Sequence, residues 1–208
     1  MRFNRLIDKI EKYYSKKVAV YGAAARGVDW NSEESQELRF EQVLKICDRT
    51  TPFTINDYGC GYGALAAYMR KKNYMFRYRG FDVSRDMIAE ASRLFAPVRH
   101  CRFFTGENLL SPADYTVASG IFNVKLDTSE RVWKAYVLAT LKKIAALSRK
   151  GFAFNMLTTY ADKKRMRDDL YYAEPLYFFD ICKKNFSRFV TLLHDYPLFE
   201  FTVLVRME

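Results

Sequence analysis

Cysteine is sparse in this sequence: Cys47, Cys60, Cys101 and Cys182 are scattered, and no two form a C-x-x-C pair. That scatter offers neither a disulfide frame nor a zinc site, and no metal is expected; it reads as reduced thiols in a cytoplasmic protein. No apolar run approaches the ~20 residues of a membrane span, and the opening residues, Met1 to Arg5, lack a secretory hydrophobic region. Membrane insertion and export are therefore not expected. Internal repeats, low-complexity tracts and linkers are also missing, so the 208 residues are expected to form one domain, 1–208.

Half of the residues are hydrophobic, enough for a full-sized core. Lysine and arginine outnumber aspartate and glutamate by 34 to 24, a formal charge of +10. The basic clusters are short: Lys16-Lys17, Arg70 to Lys72, Arg149-Lys150, Lys163 to Arg165 with Arg167, and Lys183-Lys184. Several fall where helices should end, and cations there offset the helix dipole. The other reading is an electropositive face for nucleic acid or an acidic substrate, and charge alone does not choose.

Phe3 to Tyr14 carries apolar residues at 3, 6, 7, 10, 13 and 14, a helical stripe. After a loop over 20–31, Ser32 opens a second helix as N-cap, with Glu33 and Glu34 in its first turn. From Phe53 the pattern alternates. Strands are expected at 53–58, 76–82, 101–104, 114–119 and 151–157, with helices at 64–72, 85–95 and 129–148, which argues for a parallel sheet covered on both faces. A polar and aromatic stretch, 158–174, then precedes a helix begun by Pro175. Two β-rich runs, 188–194 and 199–206, close the chain as a hairpin with the last strand antiparallel. The expectation is an α/β fold: a seven-stranded, mostly parallel, doubly wound sheet with an antiparallel last strand. Residues 1–50 form a two-helix N-terminal cap, 51–208 the core, and 158–174 a lid.

One stretch organises this pattern. Asp57-Tyr58-Gly59-Cys60-Gly61-Tyr62-Gly63 places three glycines in five residues between a strand and a helix. A backbone that turns this sharply and approaches a ligand closely needs residues without a Cβ. The helix's first amides then face whatever the loop embraces. The loop also satisfies G-x-G-x-x-A, so a nicotinamide dinucleotide competes as its ligand, with Asp82 on the ribose.

Asp57-x-Gly59-x-Gly61-x-Gly63 resembles motif I of the class I, Rossmann-like S-adenosylmethionine-dependent methyltransferases. Gly80-Phe81-Asp82-Val83-Ser84 is similar to their second motif, and Thr105-Gly106-Glu107-Asn108-Leu109 falls where that family often has Gly-Asp-Ala. Ala113 to Ser119 looks like the fourth strand, and the two leading helices and the reversed last strand also suit that architecture. The resemblance spans about residues 30 to 208 and implies S-adenosylmethionine as cofactor, with S-adenosylhomocysteine as product. It implies a cofactor site of Asp57, Gly59, Cys60, Gly61, Gly63, Asp82 and Val83. Asp82 would accept both ribose hydroxyls and Asp57 would meet the ammonium, while Glu107 or Asn108 would lie near the adenine amine. Ser119 and Gly120 would form the floor near the methionine, Trp30 would cover the donor, and Arg39 would pair with its carboxylate. For Arg39 an ordinary surface ion pair with a nearby glutamate is the alternative.

Three regions reach the side where an acceptor would meet the donor. Gly120 to Lys125 lacks the Asn/Asp-Pro-Pro-Tyr/Phe signature of methylation at planar nitrogens; within it, Asn123 either orients an acceptor or serves the turn. Tyr160, Tyr171, Tyr172 and Tyr177, interspersed with Lys163, Lys164, Arg165 and Arg167, either form a lid or pack on the helix after Pro175. His194 is either a general base at a strand's carboxyl end or an exposed turn residue. The expected activity is methyl transfer to an oxygen or nitrogen of a small molecule. RNA is the alternative acceptor, and a non-catalytic methyltransferase-like partner protein is a third reading.

Overall fold

The computed structural model describes residues 3–30 and 32–207. Eight strands among the described residues form one sheet: β1 Phe53–Tyr58, β2 Phe76–Phe81, β3 Cys101–Phe104, β4 Ala113–Ala118, β5 Ser148–Thr158, β6 Tyr172–Ala173, β7 Phe189–Leu193 and β8 Glu200–Arg206. The order β3-β2-β1-β4-β5-β8-β7 carries the expected seven, and the two-residue β6 adds a short parallel pairing onto β5. Only β8 runs against its neighbours. The order reverses between β1 and β4, so connections leave in opposite directions there and open a crevice at the carboxyl ends.

Among the described residues six α-helices accompany the sheet: α1 Asn4–Tyr21, α2 Glu33–Leu44, α3 Ala64–Lys71, α4 Arg85–Leu94, α5 Glu130–Ala146 and α6 Pro175–Asn185. The first runs seven residues past the stripe that announced it. Ser32 caps α2 by accepting the Ser35 N–H at 3.2 Å, and Ser84 caps α4 by accepting that of Met87 at 3.3 Å. Side chains of α2, α3 and α4 pack with one sheet face, around Val43, Leu65, Met69 and Tyr78. On the other face α5 and α6 close over Phe152, Phe154 and Phe201, with Leu6 and Ile10 of α1 joining at the crevice end. Central strands β1, β4 and β8 are buried almost throughout, as strands covered on both faces must be.

The stretch 158–174, expected as a lid, is held in place by backbone hydrogen bonds. Lys125 and Leu126 N–H groups both donate to the Asp169 carbonyl, and the Tyr171 N–H donates to Asn123 at 2.7 Å. Between β3 and β4, by contrast, the crossover holds only a 3-10 turn, Glu107–Leu109. Among the described residues no helix is long and apolar enough to cross a membrane.

Candidate active site

The glycine loop does what its composition demands. Gly59, Gly61 and Gly63 all have positive φ. At Gly59, with φ 89°, a Cβ would stand 2.1 Å from Cγ2 of Ile121, so the two sides of the crevice close to a distance only glycine permits. Opposite the loop, Asp82 directly follows β2 with its carboxylate fixed: Gly61 N–H donates to Oδ2 and Ser84 N–H to Oδ1, each at 2.9 Å. Each oxygen keeps a further lone pair for a ligand hydroxyl. Burial pushes the Asp82 carboxyl above its ordinary range, against the backbone N–H groups of Ser84, Gly61 and Val83.

Asp57 lies deeper, 3 % exposed, accepting the Tyr78 hydroxyl at 2.6 Å. Burial pushes its carboxyl up to about 7; the Tyr78 hydroxyl works the other way and the nearby Asp82 charge adds to the rise. A cation beside it would restore the charged form. Cys60 also lines the cleft, but burial drives its thiol pKa well up, so it packs there as an inert thiol. Together these groups line one cleft at the carboxyl ends of β1 and β2. α1 contributes Ile10 and Tyr14, α2 Gln36 and Phe40, and α5 Tyr136. Ser119 Oγ, buried at its floor, has no hydrogen-bond partner. A glycine cradle, a pre-oriented carboxylate and an orphaned hydroxyl fit a nucleoside ligand with a polar tail.

A second cavity adjoins the first. Tyr14, Val28, Trp30 and Gly120 line both. Trp30 stands so close over Gly120 (φ 81°) that a Cβ there would lie 2.2 Å from the indole. Behind the indole, the Arg39 guanidinium stacks 3.9 Å from the ring centroid. Arg39 Nε and Nη2 donate to the Glu200 carboxylate, the shortest contact being 2.6 Å, and Nη1 donates to the Ser35 carbonyl. Glu200, 1 % exposed, also accepts Asn155 Nδ2 at 3.2 Å, and Asn155 Oδ1 accepts the Gly120 N–H at 2.7 Å. The wall is thus a closed loop: Gly120, Asn155, Glu200, Arg39, Trp30 and back to Gly120.

Most of the residues expected at the cofactor converge. Asp57, Gly59, Cys60, Gly61, Asp82, Val83, Ser119 and Trp30 all line the first cleft, with Gly63 capping α3 directly behind. Three stand elsewhere. Arg39 lines the second cavity with its donors engaged by Glu200, a carboxylate on the last strand rather than any of the helix glutamates nearby in sequence. Glu107 accepts the Tyr58 hydroxyl and Lys143 Nζ, so Tyr58 stands between it and the cleft, and Asn108 is exposed. Asn123 lines the second cavity; its Oδ1 accepts the Leu157 N–H at 3.1 Å while its buried Nδ2 has no partner. His194 is exposed and packs beside Tyr160 and Phe201, outside the lining of both cavities. The aromatics of the lid divide: Tyr172 lines the second cavity, Tyr171 is buried, and Tyr177 packs under Lys134. Tyr14 and Ile10 were not singled out from the sequence, although they lie in the stripe that marks α1.

No family model matches the chain. It is 48% identical over 163 residues to "Putative methyltransferase Rv1506c" of Mycobacterium tuberculosis (strain ATCC 25618 / H37Rv), covering 78% of this chain and 98% of that protein. The fold superposes on magnesium protoporphyrin IX methyltransferase from Synechocystis PCC 6803 with bound S-adenosylhomocysteine, at TM-score 0.69 and 14% identity, over 97% of this chain and 99% of that one. Human N-acetylserotonin methyltransferase in complex with S-adenosylmethionine gives TM-score 0.63 at 14% identity, over 99% of this chain and 59% of that one. The structural likenesses carry the fold, and the relative at 48% identity carries the lineage. With the glycine loop and Asp82 facing each other across the switch point, the chain belongs to the class I, Rossmann-like S-adenosylmethionine-dependent methyltransferases.

Proposed function

We propose that this methyltransferase alkylates an oxygen or nitrogen of a small-molecule acceptor held in the second cavity. The observation that carries this reading is the wall shared by the two cavities, formed by Tyr14, Val28, Trp30 and Gly120. Ligands filling two cavities that share these four lining residues would lie beside one another. Bound S-adenosylmethionine supplies an electrophilic methyl group on a sulfonium. The protein's part is to orient both ligands and exclude water. In this reading Asp82 accepts the ribose hydroxyls and Asp57 meets the ammonium, while Ser119 donates to the methionine portion. Asn123 Nδ2 and Arg165 recognise the acceptor. Arg165 lines the second cavity and its guanidinium faces the Phe199 ring at 6.0 Å, with no carboxylate partner among the described residues. Tyr172 and Trp30 give that cavity its aromatic surface.

The test is a donor-dependent activity screen over metabolite pools and total RNA. Methylation of a small molecule, lost when Asn123→Ala and Arg165→Ala are combined, is the expected result. Transfer to RNA alone overturns the small-molecule reading.

A further inference from the structure

The sheet edge formed by β2 and β3 carries charge where a covering helix would call for apolar side chains. Phe81 and Phe104, at the carboxyl ends of these strands, join the cluster under α5. Earlier on the same face the alternation places Arg77, Arg79 and Arg102, and the helix-free crossover between β3 and β4 leaves them open. Arg77 and Arg79 are two residues apart on one strand, ~6.6 Å, and Arg79 and Arg102 are register partners on neighbouring strands, ~4.8 Å apart. Arg99 and His100, just before β3, complete a concavity with these three. The His100 ring stands edge-on to Phe76 at 5.3 Å.

None of these four guanidinium groups meets a carboxylate among the described residues. Arg79 donates only to the Ser111 carbonyl, at 3.3 Å. Three arginines elsewhere do meet a carboxylate: Arg39 with Glu200, Arg93 with Glu90 and Arg167 with Asp169. Four uncompensated guanidinium groups around one hollow repel each other unless an anion sits among them. The guanidinium fork matches phosphate oxygens two at a time.

We propose that this concavity is a binding site for a compact polyphosphate anion, of the size of the diphosphate group of a free nucleotide. The strand geometry sets the class. A patch of roughly 5 by 7 Å, two strands wide, spans one or two phosphate groups rather than a stretch of polymer backbone. Single carboxylates of an acidic peptide carry too little charge in that space to balance four arginines.

Titration calorimetry with inorganic pyrophosphate and with adenosine diphosphate, at 150 mM salt, tests the site. Saturable one-to-one binding is expected, weakened at least tenfold in Arg77→Gln/Arg102→Gln. Both side chains are exposed, so S-adenosylhomocysteine affinity should stay within twofold and report an intact fold. Binding that is equal in wild type and variant overturns the proposal, as does no saturable binding. Tighter binding of poly-uridylate or poly-glutamate than of pyrophosphate also overturns it, in favour of a nucleic acid or an acidic protein.

Discussion

The glycine cradle of the donor cleft comes from one short run, Asp57 to Leu65, and faces an aspartate 21 residues beyond the glycine it holds. The wall of the second cavity is closed by Arg39 on Glu200, 161 residues apart. The first region works through backbone: glycine turns, strand ends, and N–H groups that aim a carboxylate. The second works through long side chains that reach each other only after the sheet is complete. A site of the first kind is written into local sequence and is insensitive to distant change. A site of the second kind can be altered by residues that touch no ligand, which is how one fold comes to serve many acceptors.

The sharpest way to break this contrast is Glu200→Ala. It leaves the Arg39 charge buried without a counter-ion, a loss of about 3–5 kcal/mol, and a fall in Tm of order 10 °C follows for a chain of this size. Thermal unfolding measures it. Replacing both partners, Arg39→Met with Glu200→Leu, should recover most of the stability, because the buried-charge penalty goes with the pair. Turnover of the acceptor should stay low in the double variant, since Trp30 then has no guanidinium behind it. Full turnover there would show that the wall needs only packing.

Next in size is Asp82→Ala, which removes both acceptors that Gly61 and Ser84 hold in place. Two charge-assisted hydrogen bonds to a ligand are worth about 3 kcal/mol together, so calorimetry should find donor affinity down by roughly a hundredfold. The melting temperature of the free protein should move far less than in Glu200→Ala. Unchanged affinity would remove Asp82 from the ribose role.

These two substitutions also mark how much could be read in advance. The strand count, the reversed last strand and the cleft were legible because each rests on short-range signals: alternation, a closing hairpin, and three glycines at fixed spacing. Arg39 was expected at the donor carboxylate because nothing local to Arg39 points to Glu200; four glutamates lie nearer in sequence, and the fold passes over all of them. Glu107 was expected beside adenine, and the missing information was that Tyr58, one residue before the glycines, would stand in front of it. The β6 pairing escaped for the opposite reason: two residues carry no periodicity. Gln36 and Tyr136 reach the cleft from two separate helices and share no motif.

A smaller effect comes from Asp57. Its carboxyl is raised from 3.8 to about 7 by burial, so the fold disfavours the charged form. From this group alone, the free protein loses stability as pH rises from ~4 toward 7, because the unfolded chain ionises first. A ligand ammonium prefers the charged carboxylate, so donor binding below pH 7 must expel a proton. Affinity should therefore fall roughly tenfold between pH 7.5 and 6, and Asp57→Asn should flatten that profile. A pH-independent affinity in the wild type would place the ammonium elsewhere.

The smallest expected effect belongs to His194. It does sit at the carboxyl end of a strand parallel to β5, as the hairpin requires, so the sequence placed it at the correct edge. What decides its role is lateral position. β8 stands between β7 and β5, and the ring rests on Tyr160 and Phe201 outside both cavities. A base must come within hydrogen-bond reach of the proton it takes, directly or through one water. His194→Ala should therefore leave kcat within about twofold and the pH profile of turnover unchanged, the lost ring contact appearing only as a slight fall in Tm. A hundredfold loss of kcat without a change in acceptor KM would mean that the connection between β7 and β8 carries the imidazole inward on binding, and the wall between the cavities would then be only half of the catalytic apparatus.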